Sequence, residues 1–263
     1  MHAATERLAG QTVSKVPALT PGFWIIKIAA TTLGETGGDW VTMSLNLGYL
    51  VGSLIFLAAF VVLVAAQIRA ARFDAWRYWA TIVATTTFGT TLADFCDRSL
   101  GIGYAGGVTI IVALLAASLA IWYRVEGTVS VDRVNGSRAE WFYWATIMLS
   151  QTLGTALGDY VAGKDLGGLG LGYELGAAIF GAGLVVVVLL RLRPRVSRTA
   201  LFWAAFVLTR PLGATLGDWL DKPVAQGGLE LSRFYATAAL AVFIVACIAL
   251  IPPRAATPAA DRH

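Results

Sequence analysis

Eight apolar stretches, each of about twenty residues, run through this 263-residue sequence, and each can cross a hydrocarbon core of roughly 30 Å. They lie near 22–44, 46–67, 75–96, 103–124, 140–161, 171–192, 198–220 and 232–251. Together they use about 160 residues and leave little for a water-soluble domain. Hydrophobic residues make up 57% and charged residues 14% of the chain, whereas soluble chains carry roughly a quarter charged. The expected fold is all-α, a polytopic membrane protein of eight transmembrane helices. A soluble enzyme on a membrane anchor is excluded. The polar stretch Met1 to Gly22 lacks a signal-type apolar core, so no cleavage is expected.

Basic residues divide between the two ends of these spans. Arg7, Lys15, Arg69, Arg72, Arg77, Arg124, Arg133, Arg138, Arg191, Arg193, Arg195, Arg198, Arg254 and Arg262 fall on one side. Arg98, Lys164, Lys222 and Arg233 fall on the other. That asymmetry predicts both termini in the cytoplasm. It also accounts for the net charge of +4 without a nucleic-acid partner. Cys96 and Cys247 are far apart, and His2 and His263 sit at the chain ends. No disulfide framework, buried haem, di-iron centre or zinc site is therefore expected.

The chain repeats itself four times. Trp24, Trp79, Trp144 and Trp203 are each followed ten residues later by Gly34, Gly89, Gly154 and Gly213. Five residues on come Asp39, Asp94, Asp159 and Asp218, then the aromatics Trp40, Phe95, Tyr160 and Trp219. Each unit holds two spans, so all four units cross in the same direction, like parallel transporter repeats. The expected organisation is a cytoplasmic segment 1–21, repeats at 22–74, 75–132, 133–197 and 198–251, and a cytoplasmic tail 252–263. Second spans open with Gly48-Tyr49, Gly103-Tyr104 and Gly172-Tyr173, and the fourth departs with Arg233-Phe234-Tyr235. The polar segment 125–139 divides the chain into halves, leaving pseudo-two-fold and four-fold arrangements equally open.

These motifs resemble a bacterial membrane-protein family defined by four tandem repeats of unknown function, each with two spans and a characteristic tryptophan. The resemblance covers about residues 22 to 251. It implies eight spans in a bacterial inner membrane but no activity.

At 100° per residue, each first span gathers a small and polar face. It comprises Thr31, Gly34, Glu35, Gly38 and Asp39 in the first copy, and Thr86, Gly89, Thr90, Ala93 and Asp94 in the second. The third copy gives Gln151, Gly154, Thr155, Gly158 and Asp159; the fourth gives Arg210, Gly213, Ala214, Gly217 and Asp218. Polar faces in lipid turn toward protein or a wet cavity. The glycine pairs have a packing explanation, since small residues four apart let helix backbones approach closely. The tryptophans are expected to pack or to mark an interface.

The acids carry the functional expectation. Four aspartates at one depth can converge, and converging like charges need protons or cations to neutralise them. Helix capping is their structural alternative. Glu35 and Arg210 lie at depths that allow a cross-bundle pair. Lys27 either joins the polar interior or snorkels to the interface. Pro211 is expected to kink its helix.

A transporter for a hard cation such as Mn2+ or Mg2+, with proton-coupled efflux, fits this chemistry best. Asp39, Asp94, Asp159 and Asp218 are the expected metal ligands, with Glu35, Thr90, Thr155 and Gln151 beside them. No covalent cofactor is expected. A small-solute transporter and a structural or sensory membrane protein are the alternatives, and an oligomer stays open. No phosphate-binding loop, Ser–His pair or HExxH motif occurs, so no enzyme activity is expected.

Overall fold

The computed structural model describes residues 14–134 and 136–256. His2, Arg7, Arg262 and His263 lie outside the described residues. Eight long helices account for the eight expected spans: α1 (Pro21–Asp39), α2 (Gly48–Arg69), α3 (Ala75–Asp94), α4 (Tyr104–Glu126), α5 (Ser137–Ala162), α6 (Tyr173–Leu190), α7 (Arg198–Asp221) and α8 (Arg233–Leu250). No strand of the fold's framework interrupts them among the described residues.

Local chemistry sets the helix starts. Thr20 caps α1 by accepting from the Phe23 amide at 3.3 Å, with Pro21 in the first turn. Asp74 caps α3 in the same way, accepting from the Arg77 amide at 2.7 Å, and Ser197 caps α7. Side-chain acceptors at this position satisfy amides that the helix leaves unpaired. At the other end α1 and α3 run into π-helical turns, Trp40–Ser44 and Phe95–Ser99. α5 and α7 instead stop and lead into the longer loops 163–172 and 222–232. Pro211 lies within α7, which runs unbroken through it.

The odd-numbered helices form a closed ring, in which α1 packs on α3, α3 on α5, α5 on α7 and α7 back on α1. Each even-numbered helix packs outside this ring on the first helix of the following repeat. Thus α2 lies on α3, α4 on α5, α6 on α7, and α8 closes the cycle on α1. One rule applied four times therefore generates the molecule. The ring follows the four-fold option.

Apolarity follows this division except in the ring helix α7. α2, α4, α6, α7 and α8 are long and apolar enough to cross a membrane by themselves. α1, α3 and α5 are diluted by threonines, glycines and acids, nearly all of them buried. The outer helices expose Leu54, Val62, Leu114, Val188 and Val242. Exposed apolar rows on that scale suit lipid contact rather than water. The protein is an all-α, multi-pass membrane protein.

Candidate functional site: a layered polar axis

Every fourth residue of the ring helices points inward, and the four copies stack in five layers. From the tryptophan end these are Phe23/Tyr78/Tyr143/Phe202, Lys27/Ile82/Ile147/Phe206, Thr31/Thr86/Gln151/Arg210, Glu35/Thr90/Thr155/Ala214 and Asp39/Asp94/Asp159/Asp218. None of these residues is more than 5% exposed. A stripe of every fourth residue drifts about 40° per step, so the helices must cross at an angle to keep it inside, as small-residue motifs allow.

The glycines are the sockets of this stack. A side chain at Gly34 would meet Thr86 of the next repeat, and one at Gly38 would meet Thr90. Gly89 faces Gln151, Gly154 faces Arg210, and Gly158 faces Ala214. Gly213 faces Thr31 and Gly217 faces Glu35, which closes the cycle. The glycine pairs of the first, third and fourth repeats thus receive the third- and fourth-layer residues of their successors, and Gly89 of the second receives the third-layer Gln151. Their packing role and the polar axis are one device.

The tryptophan end is closed and apolar. Tyr78 and Tyr143 share a hydrogen bond of 2.6 Å across the axis. Trp79, Trp144 and Trp203 are buried around them, with Trp24 packed alongside. They build a core and do not form an interfacial belt; Trp203 Nε1 donates to the Val129 carbonyl at 3.0 Å. The segment before α1 covers this end, with Val16 buried and Lys15 Nζ 2.6 Å from Glu140 Oε1.

The middle layers hold a buried charge network drawn from all four repeats. Arg210 Nη1 donates to Glu35 Oε2 at 3.0 Å. Its Nη2 donates to Thr155 Oγ1 at 2.5 Å, to Thr90 Oγ1, and to the Thr86 carbonyl at 3.4 Å. The same two hydroxyls lie 3.3 and 3.5 Å from Glu35 Oε2. Ala214 occupies the fourth corner of the Glu35 layer, leaving the space through which Arg210 rises one turn. Lys27 does not snorkel. It is fully buried, 3.3 Å from Gln151 Oε1 and 4.2 Å from the Phe206 ring centre, a desolvated cation–π contact.

The aspartate layer is bridged in pairs. Arg98 Nε lies 2.7 Å from Asp94 Oδ1, and its Nη2 lies 3.3 Å from Asp159 Oδ2. Lys222 Nζ lies 3.0 Å from Asp218 Oδ1 and pairs with Asp39 Oδ2. Each base stands four residues after its own aspartate and reaches the aspartate of the next repeat. By sequence pattern alone Arg98 and Lys222 are loop charges. The signal was present as Asp94-Phe95-Cys96-Asp97-Arg98 and Asp218-Trp219-Leu220-Asp221-Lys222, a pattern of the even-numbered repeats alone. A two-fold charge pattern is thus superimposed on a four-fold ring.

The four aspartates do not make one ligand sphere. Carboxylate oxygens approach within 4.8 Å in two groups, Glu35/Asp39/Asp94 and Asp39/Asp218/Asp221. Asp159 stands outside both, tied through Arg98. The layer is also buried, with none of its four aspartates more than 5% exposed. Gln151, Thr90 and Thr155 are engaged by Lys27 and Arg210. Asp39 Oδ1 and both oxygens of Asp97 and Asp221 are buried without a hydrogen-bond partner.

No curated protein and no solved structure matches this chain. A family described as a Repeat of Unknown Function (DUF347) matches at residues 22–73, 77–128, 142–197 and 201–251, one match per two-helix unit. Most of the chain lies within these four matches, and the protein belongs to that repeat family.

Proposed function

We propose that the protein is a carrier for a hard cation, Mn2+ or Mg2+ by charge class, in the bacterial inner membrane. Both termini are assigned to the cytoplasm, because basic residues crowd the tryptophan end. The aspartate layer then faces outward. One observation carries this reading: among the described residues, the five buried aspartates Asp39, Asp94, Asp159, Asp218 and Asp221 are bridged by three bases, Arg98, Lys222 and Arg233. Two negative charges are left over where burial of an uncompensated charge costs several kcal/mol. A divalent ion or a pair of protons balances them, and exchange of one for the other is the natural coupling. Oxygen donors suit hard cations, and no thiolate or imidazole stands among them to favour softer ones.

Arg210 fills the axis beneath this layer, so the described conformation is closed toward the tryptophan end. Passage requires Arg210 to leave Glu35, and the two-helix units offer rigid bodies that can rock to part them. No catalytic role is assigned to any residue.

A second reading has its own support. Arg98 and Lys222 each join neighbouring repeats, as a purely structural clasp would. Reconstituted vesicles separate the two. Cation carriage predicts flux of Mn2+, Mg2+, Ca2+ or Na+ that changes with an imposed pH gradient; a clasp predicts no flux of any.

A further inference from the structure

The seam between the fourth and first repeats differs from the other three. At the start of α2, α4 and α6, Tyr49, Tyr104 and Tyr173 stand three residues before Gly52, Gly107 and Gly176. These tyrosines lie within electrostatic reach of Asp94, Asp159 and Asp218, the aspartates of the following repeats. Tyr104 is buried and lies 5.5 Å from the guanidinium of Arg98, covering that bridge. In α8 the equivalent positions are Arg233 and Ala236. Arg233 Nε lies 3.8 Å from Asp39 Oδ2 and 3.5 Å from Asp221 Oδ2, with no hydrogen bond to either.

Where the tyrosine is missing, a cleft of about 330 Å3 opens, lined by Trp40, Ser44, Asp221, Arg233 and Phe234 among others. Of the Asp39/Asp218/Asp221 cluster, whose carboxylate oxygens lie within 4.8 Å of one another, Asp221 lines this cleft. Asp221 is 4% exposed, and neither of its oxygens has a hydrogen-bond partner. Asp39 Oδ1 is in the same condition. Buried acceptors without a hydrogen bond are costly and call for a ligand. The other donor of the cluster is already occupied: Lys222 holds Asp39 and Asp218 together. Its ammonium is a tethered cation on a flexible four-carbon stem.

We propose that this cleft is the outer port for a divalent hard cation, which lodges among Asp39, Asp218 and Asp221 by displacing the ammonium of Lys222. With Lys222 withdrawn, three carboxylates against the guanidinium of Arg233 leave two negative charges, matching one divalent ion. Carboxylate oxygens at ordinary coordination distance, 2.0 to 2.6 Å from such ions, need only small side-chain rotations from the spacing present. This port rests on the carrier reading above and assigns its ligand class and its point of access.

The test is Mn2+ titration of the full detergent-solubilised chain, followed by electron paramagnetic resonance, with monodispersity confirming the fold of each variant. The intact chain binds Mn2+, and Asp221→Asn weakens binding about tenfold or more by removing one of three carboxylates. Lys222→Gln tightens it, because the built-in competitor is gone. Arg233→Tyr, which restores the covering residue of the other seams, slows association. Unchanged affinity in Asp221→Asn, or weakened affinity in a folded Lys222→Gln, overturns the port. If flux still requires Asp94 and Asp159 in that case, cation carriage stands without this port. Absence of both Mn2+ binding and cation flux in the intact chain overturns both.

Discussion

Arg210 of the last repeat donates to Glu35 of the first at 3.0 Å, and neither side chain is more than 2% exposed. The bond joins the two ends of the repeat series where α7 closes the ring on α1. Removing one partner leaves the other charge buried and alone, at a cost of about 3–5 kcal/mol. Arg210→Met should therefore lower the midpoint of thermal unfolding in detergent sharply. Adding Glu35→Leu should recover much of the loss, since an apolar pair avoids the stranded carboxylate. Scanning fluorimetry of the two variants checks both outcomes.

The glycine sockets make a sharper packing prediction. A methyl group at Gly213 meets Thr31 of α1, and one at Gly217 meets Glu35. Overpacking of this kind costs about 1–3 kcal/mol. Gly213→Ala and Gly217→Ala should each lower the unfolding midpoint. Gly181 in α6 has open space around its missing side chain, so Gly181→Ala should leave the midpoint unchanged or raise it slightly.

Arg98 neutralises two aspartates from different repeats. Arg98→Gln should destabilise the chain, because both carboxylates stay buried without a base. Millimolar Mg2+ should restore the unfolding midpoint of this variant far more than that of the unaltered protein, since binding to the folded state alone stabilises it. A variant whose deficit ignores Mg2+ would indicate that the aspartate layer does not accept a cation in place of its arginine.

Orientation can be read by labelling. Asp165 and Arg195 are exposed in loops at opposite ends of the bundle. In a background of Cys96→Ser and Cys247→Ser, cysteine at 165 should react with an impermeant maleimide added to intact cells. Cysteine at 195 should react only after lysis. The reverse pattern would place the termini outside.

Much of this arrangement was legible in the sequence because the repeat is ungapped from tryptophan to aspartate. A constant spacing fixes depth, so the spacing alone pairs Glu35 with Arg210 and assigns the GxxxG positions to close approach. Spacing does not say which neighbour a face meets. The ring, in which Gly34 receives Thr86 and Gly213 receives Thr31, is a property of assembly and had no linear signature. Arg98 and Lys222 were hidden for a different reason. They fall where the apolar pattern ends, so they counted as loop charges, although their four-residue distance from Asp94 and Asp218 puts base and acid on one helical face. The departure at Arg233 was visible, but its meaning depends on Tyr104 covering Arg98, a contact between side chains. The tryptophans were open between packing and interface, and their burial decides for packing.

Cation carriage through the aspartate layer is tested most directly by Mn2+ flux into proteoliposomes holding the unaltered protein, Asp39→Asn or Gly181→Ala. Asp39 belongs to both close carboxylate groups, so its neutral variant weakens each of them at once. The account predicts flux in the unaltered protein and in Gly181→Ala, and loss of about tenfold or more in Asp39→Asn. Equal flux in all three, with folded protein in every vesicle, would contradict it.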